Sequence, residues 1–565
     1  MKTNMKENDT KNKTANNKNH ANNKNRVNNK NHANNKNHAN NKNRVNNKNH
    51  VSNKNYGNYA NNRKVGQKHA NRRVFYENDF IYNCDFCNLP LIGPVCGICK
   101  NEGTKVVLSQ PADVRFGHEY DNESIGKLIC NTFSCNPLEN QLLLLNKIPG
   151  DDRAFEVLVN GFVFGFVRYD LEKQTDTFEP SIDLAGILLS EKYSEKTRKH
   201  TIVIEKTGIH LNGKKINKKM IEMSGKAEGF SESINAGDFV LIKTGNSFGY
   251  GTALISGKDF KSASENEPTV RVKTVVSGDF EKLNEKLPKN ILSHEEIISK
   301  VVSANLEYIR ALGKSAINTI KGFANQKKNK DLPIYVSFSG GKDSLVCLDL
   351  TRSALKDRDF GTVFLNTGID FPETVDFVHS FCEENEIDLI ELKAGDAFWN
   401  ELKKSGHPTK DERWCCSVCK LNSANEFHKG KEHIAIDGKR RHESFNRANV
   451  QTTDINPQIE GQNNLFPIKD WKAIEVWIYI NWRKLKYNPL YDMGFERVGC
   501  WMCPSAFEAE YKRVKEIRPE LANIWEEYLK EWAKNKGFPE KYINYGFWRW
   551  KKLPPKMLLI KEKID

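Results

Sequence analysis

The sequence predicts a multidomain chain whose main body, from about residue 331 onward, is a doubly wound α/β domain built on a parallel sheet. Three observations carry this. Short β-type runs at 332–338 (LPIYVSF), 361–366 (GTVFLN), 387–392 (IDLIEL) and 433–438 (HIAIDG) alternate with helical patterns such as 345–355 and 373–385. A glycine-rich turn, Ser339-Gly340-Gly341-Lys342-Asp343-Ser344, joins the first run to the first helix. The later runs end in loops rich in Gly, Asp and Arg, at the strand ends where parallel sheets bind ligands.

The elements before this domain follow in order. Residues 1–73 repeat NNKNHA and NNKNRV with almost no apolar side chains, so nothing offsets the entropy of ordering them and a disordered tail is expected. This tail holds 18 Lys and Arg against 2 Asp and Glu, more than the whole chain's net charge of +15. The basic character therefore belongs to the tail, and the remainder is close to neutral. A lysine-rich tail offers loose attraction to RNA, or is simply a solvated low-complexity extension.

At 74–105, Cys84-x2-Cys87 and Cys96-x2-Cys99 form two knuckles separated by a short loop bearing Gly and Pro. Four thiolates at this spacing suit a tetrahedral zinc ion. Residues 106–200 read as α+β, with a hairpin turn at Asn160-Gly161. From 201 to 280, the runs TIVIEK, DFVLIK, GTALIS and TVRVKTVV are separated by turn residues at Ala236-Gly237-Asp238 and Gly249-Tyr250-Gly251, which predicts a small β-barrel. Residues 281–330 read as a helical linker. No apolar stretch approaches membrane-spanning length, no apolar leader region follows the first residues, and the clustered cysteines fit metal ligation better than disulfides. A cytoplasmic protein without membrane contact is expected.

The chemistry concentrates in three strand-end loops. Ser339, Gly340, Gly341 and Ser344 can cradle phosphate with backbone N–H groups at a helix N-terminus, Lys342 adds a full positive charge, and Asp343 can orient a metal or the loop. The second loop offers Thr367, Gly368 and Asp370, and the third offers Gly438, Arg440, Arg441 and Arg447. Arginine forks onto phosphate in two directions at once.

The turn at 339–344 resembles the PP-loop of the ATP-pyrophosphatase superfamily. Together with the other two loops, Arg413-Trp414-Cys415-Cys416 and the tryptophan-bearing stretch 471–482, it resembles the PAPS reductase family across 331–505. The order of strands and turns at 201–280 resembles the PUA domain, a compact RNA-binding barrel. The whole order resembles an archaeal group of PAPS reductase/FAD synthetase-related enzymes fused to a PUA domain. The ferredoxin module carried by some of them is absent here.

The resemblance also bears on the later cysteines. The pair Cys415-Cys416 followed by Cys500-x2-Cys503 is similar to the 4Fe–4S site of assimilatory APS reductases, which implies these four as cluster ligands, with Cys419 left over as a sulfur-handling residue. Cys416-x2-Cys419 with Cys500-x2-Cys503 equally suits zinc. Sulfonucleotide reductases use a nucleophilic cysteine near the C-terminus, and no cysteine follows Cys503 in this sequence. The resemblance thus implies a nucleotide site without the reductase nucleophile. Its expected cofactors are ATP, Mg²⁺, a 4Fe–4S cluster and zinc; its expected partner is RNA, tRNA in particular; its expected reaction is adenylation followed by sulfur transfer, with Lys342, Asp343 and Cys419 catalytic. Sulfonucleotide reduction, and RNA binding with a merely nucleotide-sensing domain, are the alternative readings.

Overall fold

The computed structural model describes residues 79–204, 211–222 and 230–564. The expected Asn/Lys-rich tail lies outside them. Four sheets follow one another along the chain. The first is β2-β1-β3, antiparallel, from β1 (Phe80–Cys84), β2 (Leu89–Leu91) and β3 (Thr104–Val107). The second is the antiparallel meander β4 (Val114–Phe116), β5 (Leu144–Lys147), β6 (Ala154–Val159), β7 (Phe162–Asp170) and β8 (Thr175–Pro180). Its β6–β7 turn is the expected hairpin, with Asn160 and Gly161 both at positive φ, 48° and 80°.

The third sheet comprises β9 (Thr201–Val203), β10 (Lys215–Asn217), β11 (Phe239–Thr244), β12 (Ser247–Ala253) and β13 (Pro268–Ser277), in the order β10-β13-β12-β11-β9. Among the described residues these strands form one five-stranded sheet, and no pairing there joins β10 to β9. Alternation along β11 explains its placement. Val240 and Ile242 enter a core private to this sheet, while Leu241, with Phe248 and Tyr250 of β12, enters the core of the preceding meander. Gly249-Tyr250-Gly251, expected as a turn, lies inside β12; the turn is at Gly245-Asn246. The two glycines serve close approach. A Cβ on Gly249 would lie 2.0 Å from the Thr274 carbonyl oxygen, and the register shifts between Tyr250 and Gly251.

The segment expected as a helical linker is core material. Helices His294–Ala304 and Leu306–Ala324 share one hydrophobic cluster with the cysteine module and the last sheet. Buried Asn305, between the helices, accepts from Ile92 N at 2.8 Å and donates to Pro90 O at 2.9 Å.

The fourth sheet has the order β16-β15-β14-β17-β19-β18, from β14 (Ile334–Ser337), β15 (Gly361–Asn366), β16 (Leu389–Lys393), β17 (His433–Ile436), β18 (Thr453–Ile455) and β19 (Gln462–Leu465). All pairings are parallel except the edge strand β18. The chain winds outward from β14 through β15 to β16, then returns to β17 on the other side of β14. That reversal opens a crevice beyond the carboxyl ends of β14 and β17, where the glycine-rich turn and the arginine loop begin. A last set of helices, including Glu508–Ile517 and Pro519–Lys536, packs with Trp501, Trp525 and Trp548 into a separate cluster. No helix among the described residues is long and apolar enough to cross a membrane.

Candidate active site

Helix Lys342–Ala354 starts immediately at the glycine-rich turn, with Gly341 as its N-cap. Gly340 sits at φ +73°, and a Cβ there would lie 3.0 Å from both Thr374 and Val378, so conformation and space both require glycine. The Ser344 hydroxyl folds back, accepting from Ser339 N at 3.2 Å and donating to Gly341 O at 2.9 Å. The Tyr491 hydroxyl receives the Lys342 N–H at 2.8 Å. Tyr491 carried no sequence signal, because it lies 149 residues downstream.

Lys342 is buried, at 8 % exposure, with Nζ 2.9 Å from Asp343. The other Asp343 oxygen receives Arg440 Nε at 2.6 Å. Arg440 is fully buried, and its outer nitrogen meets Asp113 at 2.7 Å. Arg440, expected to reach a nucleotide directly, is thus occupied with two carboxylates. Asp343 likewise has both oxygens engaged, with Lys342 and Arg440, which suits the loop-orienting half of its expected role. Burial pushes the Asp113 carboxyl up, but Arg440, helped by Lys342, outweighs it and holds the group well below the usual carboxylate range. Gly438 brings the arginine loop against the turn: a Cβ there would fall 2.7 Å from the Asp343 carbonyl carbon. Arg441 pairs with Asp470 at 2.9 Å, and Arg447, partly exposed, pairs with Glu443.

In the second loop, Asp370 accepts from both the N–H and the hydroxyl of Thr367 at 2.8 Å, and Gly368 N donates to Asn366. This loop bridges to the late cysteines. Asp370 and Cys500 pair as an isolated β-bridge, and the Cys500 sulfur lies 3.6 Å from the Thr367 hydroxyl. Burial raises Cys500 to about 12. A hydrogen bond with Cys415 lowers Cys416 to about 6, assisted by Lys420, Arg413 and Arg497 against the opposing effect of burial. Cys416 is exposed, and Cys415 and Cys503 are half-buried. Cys419 lies in the apolar cluster against which Cys415 and Cys500 pack: at 1 % exposure it packs with Ile369, Phe398 and Trp501, and burial raises its thiol to about 11. That surrounding is at odds with the expected reactive role.

The early cysteines converge. Cys84, Cys87, Cys96 and Cys99 bring all four sulfurs within 4.8 Å of one another, with Cys84 and Cys99 3.4 Å apart. Bonds of 2.3 Å to a tetrahedral zinc ion require sulfurs ~3.8 Å apart, so the set fits one ion. Among the described residues no other such group forms, and Cys416, Cys419, Cys500 and Cys503 do not meet it. Cys415, Cys416, Cys500 and Cys503 do not form such a close group either.

His442, on the arginine loop, is 2 % exposed, with Nδ1 2.9 Å from the Pro111 carbonyl. Burial pulls its pKa from 6.5 to about 4. The unfolded chain takes up this proton first, so stability falls as pH drops from about 6.5 to about 4 and, for this group, no further below that. His442→Gln is expected to remove about 3 kcal/mol of acid sensitivity in that window, read by denaturant unfolding at several pH values. An unchanged pH slope would contradict the assignment.

Residues 333–506 match the phosphoadenosine phosphosulfate reductase domain. Over 474 residues the chain is 34 % identical to uncharacterized protein MJ0066 of Methanocaldococcus jannaschii, covering 83 % of this chain and 95 % of that protein. It is 37 % identical to uncharacterized protein MJ0973 of the same organism, covering 80 % and 98 %. It is 31 % identical to adenosine 5'-phosphosulfate reductase 1 of Bacillus subtilis strain 168 over 180 residues, covering 30 % of this chain and 74 % of that protein. Through residues 333–506 the chain belongs to the phosphoadenosine phosphosulfate reductase family.

Proposed function

We propose that this protein is an ATP-dependent enzyme that replaces a carbonyl oxygen of an RNA base, in tRNA, with sulfur. The observation that carries the reading is the direct junction of two chemistries: the nucleotide-type loop 366–374, which follows β15, meets Cys500 through the Asp370–Cys500 bridge and the Thr367 hydroxyl. The base oxygen attacks the α-phosphorus of ATP and pyrophosphate leaves. A sulfur nucleophile then adds to the same carbon, and the oxygen departs with AMP. Ser339, Gly340, Gly341 and Ser344 line the phosphates, and Lys342 stabilises the charge that develops as pyrophosphate leaves. Asp343 holds Lys342 and Arg440 in place. Thr367, Gly368, Asp370, Gly438, Arg441 and Arg447 border the nucleotide, and Mg²⁺ accompanies its triphosphate.

Cys84, Cys87, Cys96 and Cys99 hold zinc in this reading. Cys415, Cys416, Cys500 and Cys503 would hold a 4Fe–4S cluster; because four thiolates fill its irons, it would offer a site for the sulfur nucleophile only with one of these ligands displaced. Cys419 packs the wall behind them. The sheet at 201–277 is assigned to specific RNA contact as a PUA-like module, because a folded sheet presents groups at fixed positions where a lysine-rich tail cannot. RNA-stimulated conversion of ATP to AMP and pyrophosphate tests the reading. Release of sulfite from adenosine 5'-phosphosulfate, without RNA-dependent turnover, would replace it with sulfonucleotide reduction, the reading the Bacillus relative favours.

Anaerobically purified protein is expected to contain iron and sulfide, with a Mössbauer signal lost in Cys500→Ser and Cys503→Ser. Zinc alone at both cysteine sites, even after anaerobic reconstitution, would remove the cluster.

A further inference from the structure

We infer that Asp113 is a positioning residue of the nucleotide site, supplied by the N-terminal α+β segment rather than by the nucleotide-binding domain. The inference rests on the nucleotide reading above and extends it to a residue far from every motif. Four charges alternate from the crevice inward: Lys342, Asp343, Arg440 and Asp113. Their contacts are 2.9 Å, 2.6 Å and 2.7 Å. Arg440 has 1 % side-chain exposure and Asp113 10 %, so water cannot substitute for either partner.

Arg440 is tied on further sides. It donates to Trp471 O at 3.1 Å, and its third nitrogen lies 3.8 Å from Glu443. Asp113 is itself fixed, because its Oδ1 also accepts from Ala473 N at 2.8 Å, at the start of helix Ala473–Arg483. One residue from the neighbouring segment thus joins the glycine-rich turn, the arginine loop and this helix. His442 reinforces the joint through Pro111, two residues before Asp113.

The geometry gives Asp113 a definite task. Asp343 must hold Lys342 toward the phosphates. Without Asp113, the guanidinium of Arg440 has only Asp343 and the more distant Glu443 to balance it, and it draws Asp343 away from Lys342. The charge then moves at the phosphate position although Asp113 touches no phosphate. The same chain of contacts ties the α+β segment to the nucleotide crevice, so the segment completes the site.

The test is calorimetric binding of a non-hydrolysable ATP analogue with Mg²⁺ to the full chain and to Asp113→Asn, Asp113→Glu, Arg440→Lys and the Asp113→Asn/Arg440→Lys pair. Asp113→Asn is expected to weaken binding about tenfold or more, with the stoichiometry unchanged. Asp113→Glu is expected to recover most of the loss, and the double variant to bind no worse than the weaker single variant. A purely structural role would lower the stoichiometry and the melting temperature and leave the Kd of the remaining sites unchanged; that result overturns the inference. If Asp113→Asn does not fold, Arg440→Lys decides alone: it keeps the positive charge but cannot span Asp343 and Asp113, so a raised Kd supports the inference and a Kd equal to wild type overturns it. A wild-type chain that binds no analogue overturns the nucleotide reading itself; wild-type binding with unaffected variants overturns only the role of Asp113.

Discussion

Lys342→Ala is expected to lower RNA-dependent ATP turnover on the order of 100- to 1,000-fold, the usual loss when one preorganised donor to developing charge is removed. The side chain is 8 % exposed and stands at the N-terminal end of helix Lys342–Ala354, where its charge and the helix dipole act on the same anion. The fold is expected to survive. Asp343 keeps Arg440 at 2.6 Å, so removing the ammonium leaves no carboxylate unpaired. Steady-state kinetics with far-UV circular dichroism check both halves. Turnover equal to wild type in a folded variant would take the glycine-rich turn out of the mechanism.

Loss of the zinc proposed for the early cysteine site is expected to have the second large effect. Structural zinc in small cysteine sites supplies about 10–16 kcal/mol of apparent binding free energy at neutral pH, as much as or more than the roughly 5–15 kcal/mol that separates folded from unfolded domains. The loss would spread here. Cys84 and Cys96 belong to the same hydrophobic cluster as Ile297, Val301 and Ile309 of the adjacent helices, and Gly97 N donates to Ala304 O at 2.7 Å. Cys96→Ser, or prolonged chelation, is therefore expected to lower the melting temperature markedly and to expose helices His294–Ala304 and Leu306–Ala324 to hydrogen exchange. Metal analysis should give one zinc per chain at this site in wild type and none in the variant. A metal-free protein with unchanged melting would show the knuckles to be self-supporting.

The sheet that carries the crevice was legible where its strands are apolar. GTVFLN forms β15 residue for residue, and LPIYVSF contains β14. β19 was not legible, because its sequence is QNNL; Asn464 enters the sheet by giving its amide to Asp454 at 2.6 Å, a pairing that hydropathy does not report. Gly249 and Gly251 misled for a related reason. Glycine marks either a turn or a close backbone approach, and only the neighbouring strand β13 decides which. At the site, the glycine-rich turn declared itself through local spacing. Asp113, Tyr491 and the burial of Arg440 did not, since each depends on segments more than a hundred residues apart. Cys419 shows the converse. Its spacing from Cys416 suggested a ligand, but the helical turn between them directs it into the apolar wall.

The central claim is that nucleotide activation and sulfur chemistry meet on an RNA base. Mass spectrometry of tRNA nucleosides from cells lacking the gene, compared with parent cells and with cells carrying Lys342→Ala, tests it most directly. A thiolated nucleoside is expected to be lost in the deletion, restored by the wild-type gene and not by Lys342→Ala. An identical nucleoside profile in all strains would contradict it.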